Sequence, residues 1–87
     1  MTNKSKKTSN NIEVKFKKRL KHNAWGWAYK DENRIEIKRG LSEVDELDTT
    51  IHELIHIVYP FLDEDWVERK STIIAQHLYE LGWRKQP

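Results

Sequence analysis

The residues of this chain best suited to bind a metal ion are His52 and His56, which lie four positions apart along the sequence. On a helix, side chains four residues apart lie one above the other, so both imidazoles can reach the same ion. Glu53 projects about a quarter-turn from His52. From there it can act as a general base and take a proton from a water that the metal activates. The H-E-x-x-H spacing therefore predicts a metal site with Glu53 as the catalytic base.

A zinc site with two histidines needs a third protein ligand, and a catalytic site leaves one position for water. The chain contains no cysteine, so this ligand must be a histidine or a carboxylate. The candidates are Asp63, Glu64, Asp65, Glu68, His77 and His22. On a helical projection, Glu64 and Glu68 share an edge of the second predicted helix with small Ser71 and Ala75, which would allow a close approach to the first helix. Glu64 is the preferred ligand, Glu68 one turn on is the reserve, and His77 is expected to be structural.

The alternative is that both histidines are surface residues of an amphipathic helix, or that a backbone carbonyl satisfies one of them. The apolar stripe of this helix consists of Val44, Leu47, Ile51, Leu54, Ile55 and Val58. His52 and His56 project away from that stripe, in line with Tyr59, and therefore face either solvent or a cleft. In a cleft, Tyr59 could stabilise an oxyanion as a further catalytic residue; otherwise it packs at the helix end.

Sequence patterns also predict the elements that must position these residues. Alternating apolar residues begin at Ile12, and two further strands joined by a turn form a predicted β-hairpin. The predicted strands cover residues 12–17, 25–29 and 34–38. Ser42 and Asp63 are the expected N-caps of two helices, of which Pro60 ends the first and Gly82 the second. The prediction is an α+β domain in which a small antiparallel sheet of about three strands packs against two helices.

The length of 87 residues allows one domain with a modest core. A bound metal would help to stabilise a domain of this size. The second helix is expected to contribute an apolar stripe of Val67, Ile74, Leu78 and Leu81. Trp25 and Trp27 are expected to pack the sheet against the helices.

Positive charge is concentrated at the start of the chain. Residues 1–21 carry a net charge of +7, whereas residues 22–87 carry −5. Such an arm can contact nucleic acid. Its cations would be Lys15, Lys17, Lys18, Arg19 and Lys21, with Trp25 or Trp27 as stacking residues. We favour the simpler interpretation that residues 1–10 form a disordered basic tail, that residues 11–87 form one metal-binding domain, and that the lysines protect an edge strand from aggregation.

Hydropathy gives no indication of a membrane protein. No apolar run approaches the length of a bilayer span, and no apolar segment follows the N-terminal lysines. We therefore expect a cytoplasmic protein without a membrane partner. The composition leaves the oligomeric state undefined.

The stretch from Trp25 to Gly82 resembles a minimal zincin metallopeptidase. It is similar to short H-E-x-x-H proteins of phage and bacterial genomes, and more distantly to the ImmA/IrrE-like and SprT-like groups. The H-E-x-x-H motif is the specific part of this resemblance, while the strands and the second helix match as patterns. The resemblance to gluzincin-like proteins implies Zn²⁺ as the cofactor and a glutamate on the following helix, Glu64 or Glu68, as the third ligand. It also suggests a phage-encoded protein that acts in a host cell.

These observations predict a zinc-dependent hydrolase with a peptide or protein substrate. An extended peptide could add to the edge of the predicted strand at Trp25, Gly26 and Trp27, because small residues there let a substrate backbone approach. The alternative is a metal-stabilised module without catalytic activity that binds protein or nucleic acid.

Overall fold

The computed structural model describes residues 11–86, so the predicted tail at residues 1–10 lies outside the described part of the chain. Three strands and two helices form the domain. They are β1 (Glu13–Lys17), β2 (Gly26–Tyr29), β3 (Arg34–Lys38), α1 (Glu43–Val58) and α2 (Glu64–Glu80). The prediction of an α+β domain with about three strands and two helices is confirmed. No helix within residues 11–86 is long and apolar enough to cross a membrane.

The sheet is mixed, and this corrects the expectation of an all-antiparallel sheet. Its strand order is β1-β3-β2, with β3 antiparallel to β2 and parallel to β1. Residues 18–25 connect β1 to β2, which lies at the opposite edge of the sheet and runs antiparallel to β1. One strand position is left open between them. The hairpin then brings β3 into the gap, and a strand antiparallel to β2 is necessarily parallel to β1. This arrangement leaves β2 at an edge of the sheet.

The central strand β3 divides the two faces of the sheet. Ile35 and Ile37 are fully buried on the face that the helices cover. Gly26 lies opposite Ile37 in the register, and it contacts α1 on the same face. Trp27 lies opposite Glu36, so its side chain points to the other face. Trp27 therefore does not pack the sheet against the helices, because its place in the strand alternation faces outward.

Both helices begin where their capping residues predict. The Ser42 side chain accepts a hydrogen bond from the backbone N–H of Asp45 at 3.2 Å, and Asp63 accepts one from the N–H of Trp66 at 2.8 Å. Helix α1 ends just before Pro60, which cannot continue it. Helix α2 ends with Gly82 at φ +103°, a left-handed conformation that glycine adopts without strain.

The buried face of α2 differs from the predicted apolar stripe. Val67, Ser71 and Ala75 are fully buried, whereas Ile74 and Leu81 are 44% and 76% exposed. Small side chains at two of the three buried positions let α2 approach α1 closely, and this approach rotates the larger residues towards solvent. Val58, at the end of the predicted stripe of α1, is also exposed.

Helix α1 lies between the sheet and α2, and it packs against both. Its most buried residues are Thr49 and Glu53 rather than members of the apolar stripe. The turn that carries Glu53 is therefore enclosed from two sides.

Candidate metal centre

The two histidines of α1 converge on one point. Their Nε2 atoms are 3.2 Å apart, and each side chain is 15% exposed. The ring centroids are separated by 4.8 Å with an angle of 68° between the planes. His52 and His56 therefore face a cleft and not open solvent, which was one of the two possibilities left by the helical projection.

The carboxylate of Glu64 lies against this pair. Its Oε1 is 2.6 Å from Nε2 of His56, and its Oε2 is 3.0 Å from Nε2 of His52. Glu64 is the first residue of α2, directly after the N-cap Asp63. The short connection from α1 brings the start of α2 next to the last turns of α1, as the helical projection expected. The role of Glu64 as a ligand stays a prediction.

Within residues 11–86, His52, His56 and Glu64 form the one cluster of three potential metal-ligating side chains. Each offers a donor atom, and these atoms all lie within 4.8 Å of one another. In tetrahedral coordination with Zn–N bonds of about 2.0 Å, neighbouring donor atoms are about 3.3 Å apart. The separation of the two histidine nitrogens is close to that value. Two imidazoles and one carboxylate are also a donor set found in catalytic zinc sites, so the residues present fit the predicted ion.

Glu53 lies beside the group and is only 9% exposed. Among the described residues its carboxylate forms no hydrogen bond or ion pair. Burial raises its pKa from 4.5 to about 7; the charge of His52 opposes this change, and that of Glu64 adds to it. A buried carboxylate without a partner beside two imidazoles fits the arrangement that a general base requires.

Two cavities flank Glu53. The first, of about 450 Å³, contains the histidine–glutamate group and the edge of β2. It is lined by Ala24, Gly26, Trp27, Ala28, Lys30, His52, Glu53, His56 and Glu64. The second, of about 270 Å³, lies on the side of α1 towards its start and shares Gly26, His52 and Glu53 with the first.

Gly26 is the closest point of contact between β2 and α1. A Cβ atom at this position would lie 2.6 Å from Cγ2 of Thr49 and 2.8 Å from Cγ of Glu53. Only glycine therefore allows the edge strand to lie this close to the catalytic-base candidate. The predicted substrate strand is next to the predicted metal site for this reason.

The other predicted site residues differ in how close they lie to the histidine–glutamate group. Tyr59 is 60% exposed and lines neither cavity. Glu68 lines the second cavity and is not part of the histidine group. Trp25 lines the second cavity, whereas Trp27 lines the first beside the β2 edge. The Nδ1 of His77 lies 2.9 Å from the carbonyl oxygen of Ile73 in the same helix, and His77 is not part of the histidine–glutamate group.

Sequence reasoning did not identify two residues of the second cavity, Asp48 and Thr72. The hydroxyl of Thr72 donates a hydrogen bond to Oδ2 of Asp48 at 2.8 Å. Asp48 precedes His52 by four residues and Thr72 follows Glu68 by four, so each lies one turn from a residue already under consideration. This spacing is the signal that could have found them.

Two of the five basic residues proposed for nucleic-acid contact form ion pairs among the described residues, and a third lies over an indole ring. Lys17 is 3.1 Å from the buried carboxylate of Glu36, and Lys15 is 3.8 Å from Glu13. The Nζ of Lys21 lies 4.5 Å from the ring centroid of Trp27. Internal pairing reduces the charge that this surface offers to a polyanion, and nucleic-acid binding stays a prediction that we do not favour.

No protein-family model, curated protein or solved structure matches this chain. The resemblance to zincins therefore rests on the motif and its surroundings alone and stays a prediction.

Proposed function

We propose that this protein is a zinc-dependent hydrolase that cleaves peptide bonds. The observation that carries the proposal is the convergence of His52, His56 and Glu64, with all three donor atoms within 4.8 Å. The three residues come from two different helices, and Glu53 lies buried beside them. If the two histidines were only surface residues of an amphipathic helix, there would be no reason for a carboxylate of a second helix to lie against both of them.

The proposed ligands are His52, His56 and Glu64. Bound zinc acts as a Lewis acid, which lowers the pKa of water towards about 7 and polarises a carbonyl group. Glu64 adds a negative charge to two neutral donors, while its 66% exposed side chain lies at the open side of the cleft. The chain itself must supply the base and the substrate-binding surface.

Glu53 is the proposed general base. Its carboxylate lines the cleft, and no described side chain competes for it. It accepts the proton of the attacking water, and it can return that proton to the leaving amine. Because Glu53 follows His52 directly, the helix would hold it beside an ion bound by the histidines without making it a ligand.

The edge of β2 is the proposed substrate-binding surface. Within the described sheet β2 pairs only with β3, so its outer backbone groups are free to bind an extended peptide. Gly26, Trp27 and Ala28 line the cleft together with the histidine pair. A peptide that pairs with this edge would pass in front of the candidate ligands.

The substitution Glu53→Gln tests the proposal against its alternative. Purified protein is loaded with zinc, and its metal content and its cleavage of a mixed peptide library are measured. In a hydrolase, Glu53→Gln retains zinc and loses turnover by about a hundredfold or more. A metal-stabilised binding module retains zinc and cleaves nothing in either form. Wild-type protein that binds no zinc at neutral pH would remove the proposal.

A further inference from the structure

The second cavity, of about 270 Å³, differs from the cavity of the candidate metal centre in the side chains that line it. It is lined by Trp25, Gly26, Asp48, Thr49, His52, Glu53, Glu68 and Thr72. Three of these residues are carboxylates, and none is a lysine or an arginine. Asp48 and Glu68 therefore give this partly enclosed space an excess of negative charge, to which Glu53 adds less because burial raises its pKa to about 7.

These carboxylates are not neutralised by the protein. None of the ion pairs among the described residues involves Asp48, Glu53 or Glu68. One oxygen of Asp48 accepts the hydroxyl of Thr72. Glu53 is nine-tenths buried, lines the cavity and has no hydrogen-bond partner among the described side chains.

An indole completes the cavity. Trp25 is 50% exposed. Lys21 covers the ring of Trp27, and Lys70 lies over that of Trp66, but no cation of the described residues lies over Trp25. An aromatic ring next to uncompensated carboxylates attracts an organic cation through both charge and the ring face.

A second metal ion is a poor fit to this cavity. The donor atoms of Asp48, Glu53 and Glu68 do not come within 4.8 Å of one another as a group, in contrast to the histidine–glutamate group. A longer cation with several donors can span carboxylates that are farther apart. Lysine and arginine side chains have that length, and their aliphatic stems suit a cavity wall that includes an indole.

The geometry points to this second cavity as a binding site for a lysine or arginine side chain of the peptide substrate. The inference rests on the proposed function, which supplies the peptide on the β2 edge. Strand β2 runs from Gly26 to Tyr29, so a peptide antiparallel to it runs towards Gly26 and the neighbouring Trp25. The substrate residue that enters the cavity is then the one that follows the scissile bond.

Asp48 and Glu68 are the residues that select the cation. Asp48 belongs to α1 and Glu68 to α2, and both lie near the hydrogen bond from Thr72 of α2 to Asp48. Neither belongs to the histidine–glutamate group, so both can be changed without removing a proposed metal ligand. Glu80, an exposed acid at the end of α2, provides a matched control.

The test uses three six-residue peptides that are identical except at one central position, which is arginine, norleucine or glutamate. Their cleavage by zinc-loaded wild-type protein is followed by mass spectrometry, and their binding to metal-free wild-type protein, in which Glu53 is intact and no cleavage occurs, by calorimetry. We expect the arginine peptide to be favoured about tenfold over norleucine in both measurements, with cleavage before the arginine. The double substitution Asp48→Asn with Glu68→Gln should remove this preference, whereas Glu80→Gln should keep it.

The possible results separate the two proposals. Cleavage or binding that does not distinguish arginine from norleucine overturns the cation site and leaves the hydrolase intact. A preference that survives the double substitution also overturns it. Absence of zinc, or equal turnover by Glu53→Gln, overturns the hydrolase instead. Calorimetry decides on the cation site even where no peptide is cleaved, because it needs only binding.

Discussion

Gly26 of β2 and Glu53 of α1 are in direct contact, and a single added methyl group would place a carbon 2.8 Å from Cγ of the glutamate. The edge strand and the catalytic-base candidate are thereby held at a fixed separation. This contact joins the predicted substrate surface to the predicted chemistry. The consequences of disturbing it, and of changing the surrounding charges, can be measured separately.

The substitution Gly26→Ala should destabilise the protein and disturb the site together. The new Cβ would also lie 2.6 Å from Thr49, which is buried, so either β2 or α1 must move. We expect a loss of about 1–3 kcal/mol in the free energy of unfolding, measured by urea denaturation, and weaker zinc binding. Gly40→Ala is the matched control. Gly40 has φ +88°, and a Cβ added there would meet no atom within 4 Å, so its substitution costs about 1 kcal/mol through backbone strain alone and leaves zinc affinity unchanged.

The two glutamates at the start of α2 should differ in their effect on zinc affinity. Glu64 is within 3.0 Å of both histidine nitrogens, whereas Glu68 lines the other cavity. We expect Glu64→Ala to weaken zinc binding by about a hundredfold or more, and Glu68→Ala to change it by less than about threefold. Competition with a chromophoric chelator measures both. Equal losses in the two variants would contradict the assignment of Glu64.

Removal of zinc should lower the melting temperature. An ion at about a thousand times its Kd stabilises the folded state by about 4 kcal/mol, which for a domain of this length is a change in Tm of roughly 15–30 °C. Calorimetric scans with and without a chelator measure this difference. His52→Ala should abolish the response to the chelator, whereas His77→Ala should retain it. A Tm that is indifferent to chelator in the wild-type protein would argue against a bound ion.

Metal-free protein should become less stable as the pH rises from about 4.5 to about 7. Burial holds the pKa of Glu53 at about 7 in the folded state, against 4.5 ordinarily. Between these values the folded state binds more protons than the unfolded state, so the free energy of unfolding falls by up to about 3 kcal/mol. Glu53→Gln should remove this component and be more stable than wild type at pH 8. Parallel denaturation series with Glu80→Gln as the control test this; identical pH profiles for wild type and Glu53→Gln would contradict it.

Much of the local structure was predictable because it depends on neighbouring residues. The caps Ser42 and Asp63, the stop before Pro60 and the left-handed Gly82 follow from local backbone chemistry, and all four are confirmed. The helical spacing of His52 and His56 similarly requires only that α1 is a helix. These features do not depend on what packs against the element.

The division of roles between Glu64 and Glu68 required the packing of the two helices. Both residues lie on the same edge of α2, so a projection of that helix alone cannot separate them. Because the two helices run antiparallel, each later turn of α2 lies beside an earlier turn of α1. Glu64 consequently meets the histidine pair, while the hydrogen bond between Thr72 and Asp48 marks the level reached two turns later.

By itself the sequence determined the type of each element, the donor atoms available for a metal and the helical face that carries them. Only the tertiary structure decided that β1 is parallel to β3, that Trp25 and Trp27 line different cavities, and that Ile74 and Leu81 of the predicted apolar stripe are exposed. The physical reason is that periodicity records which residues share a face of one element. Which partner covers that face, and how closely, depends on contacts between residues far apart in the chain.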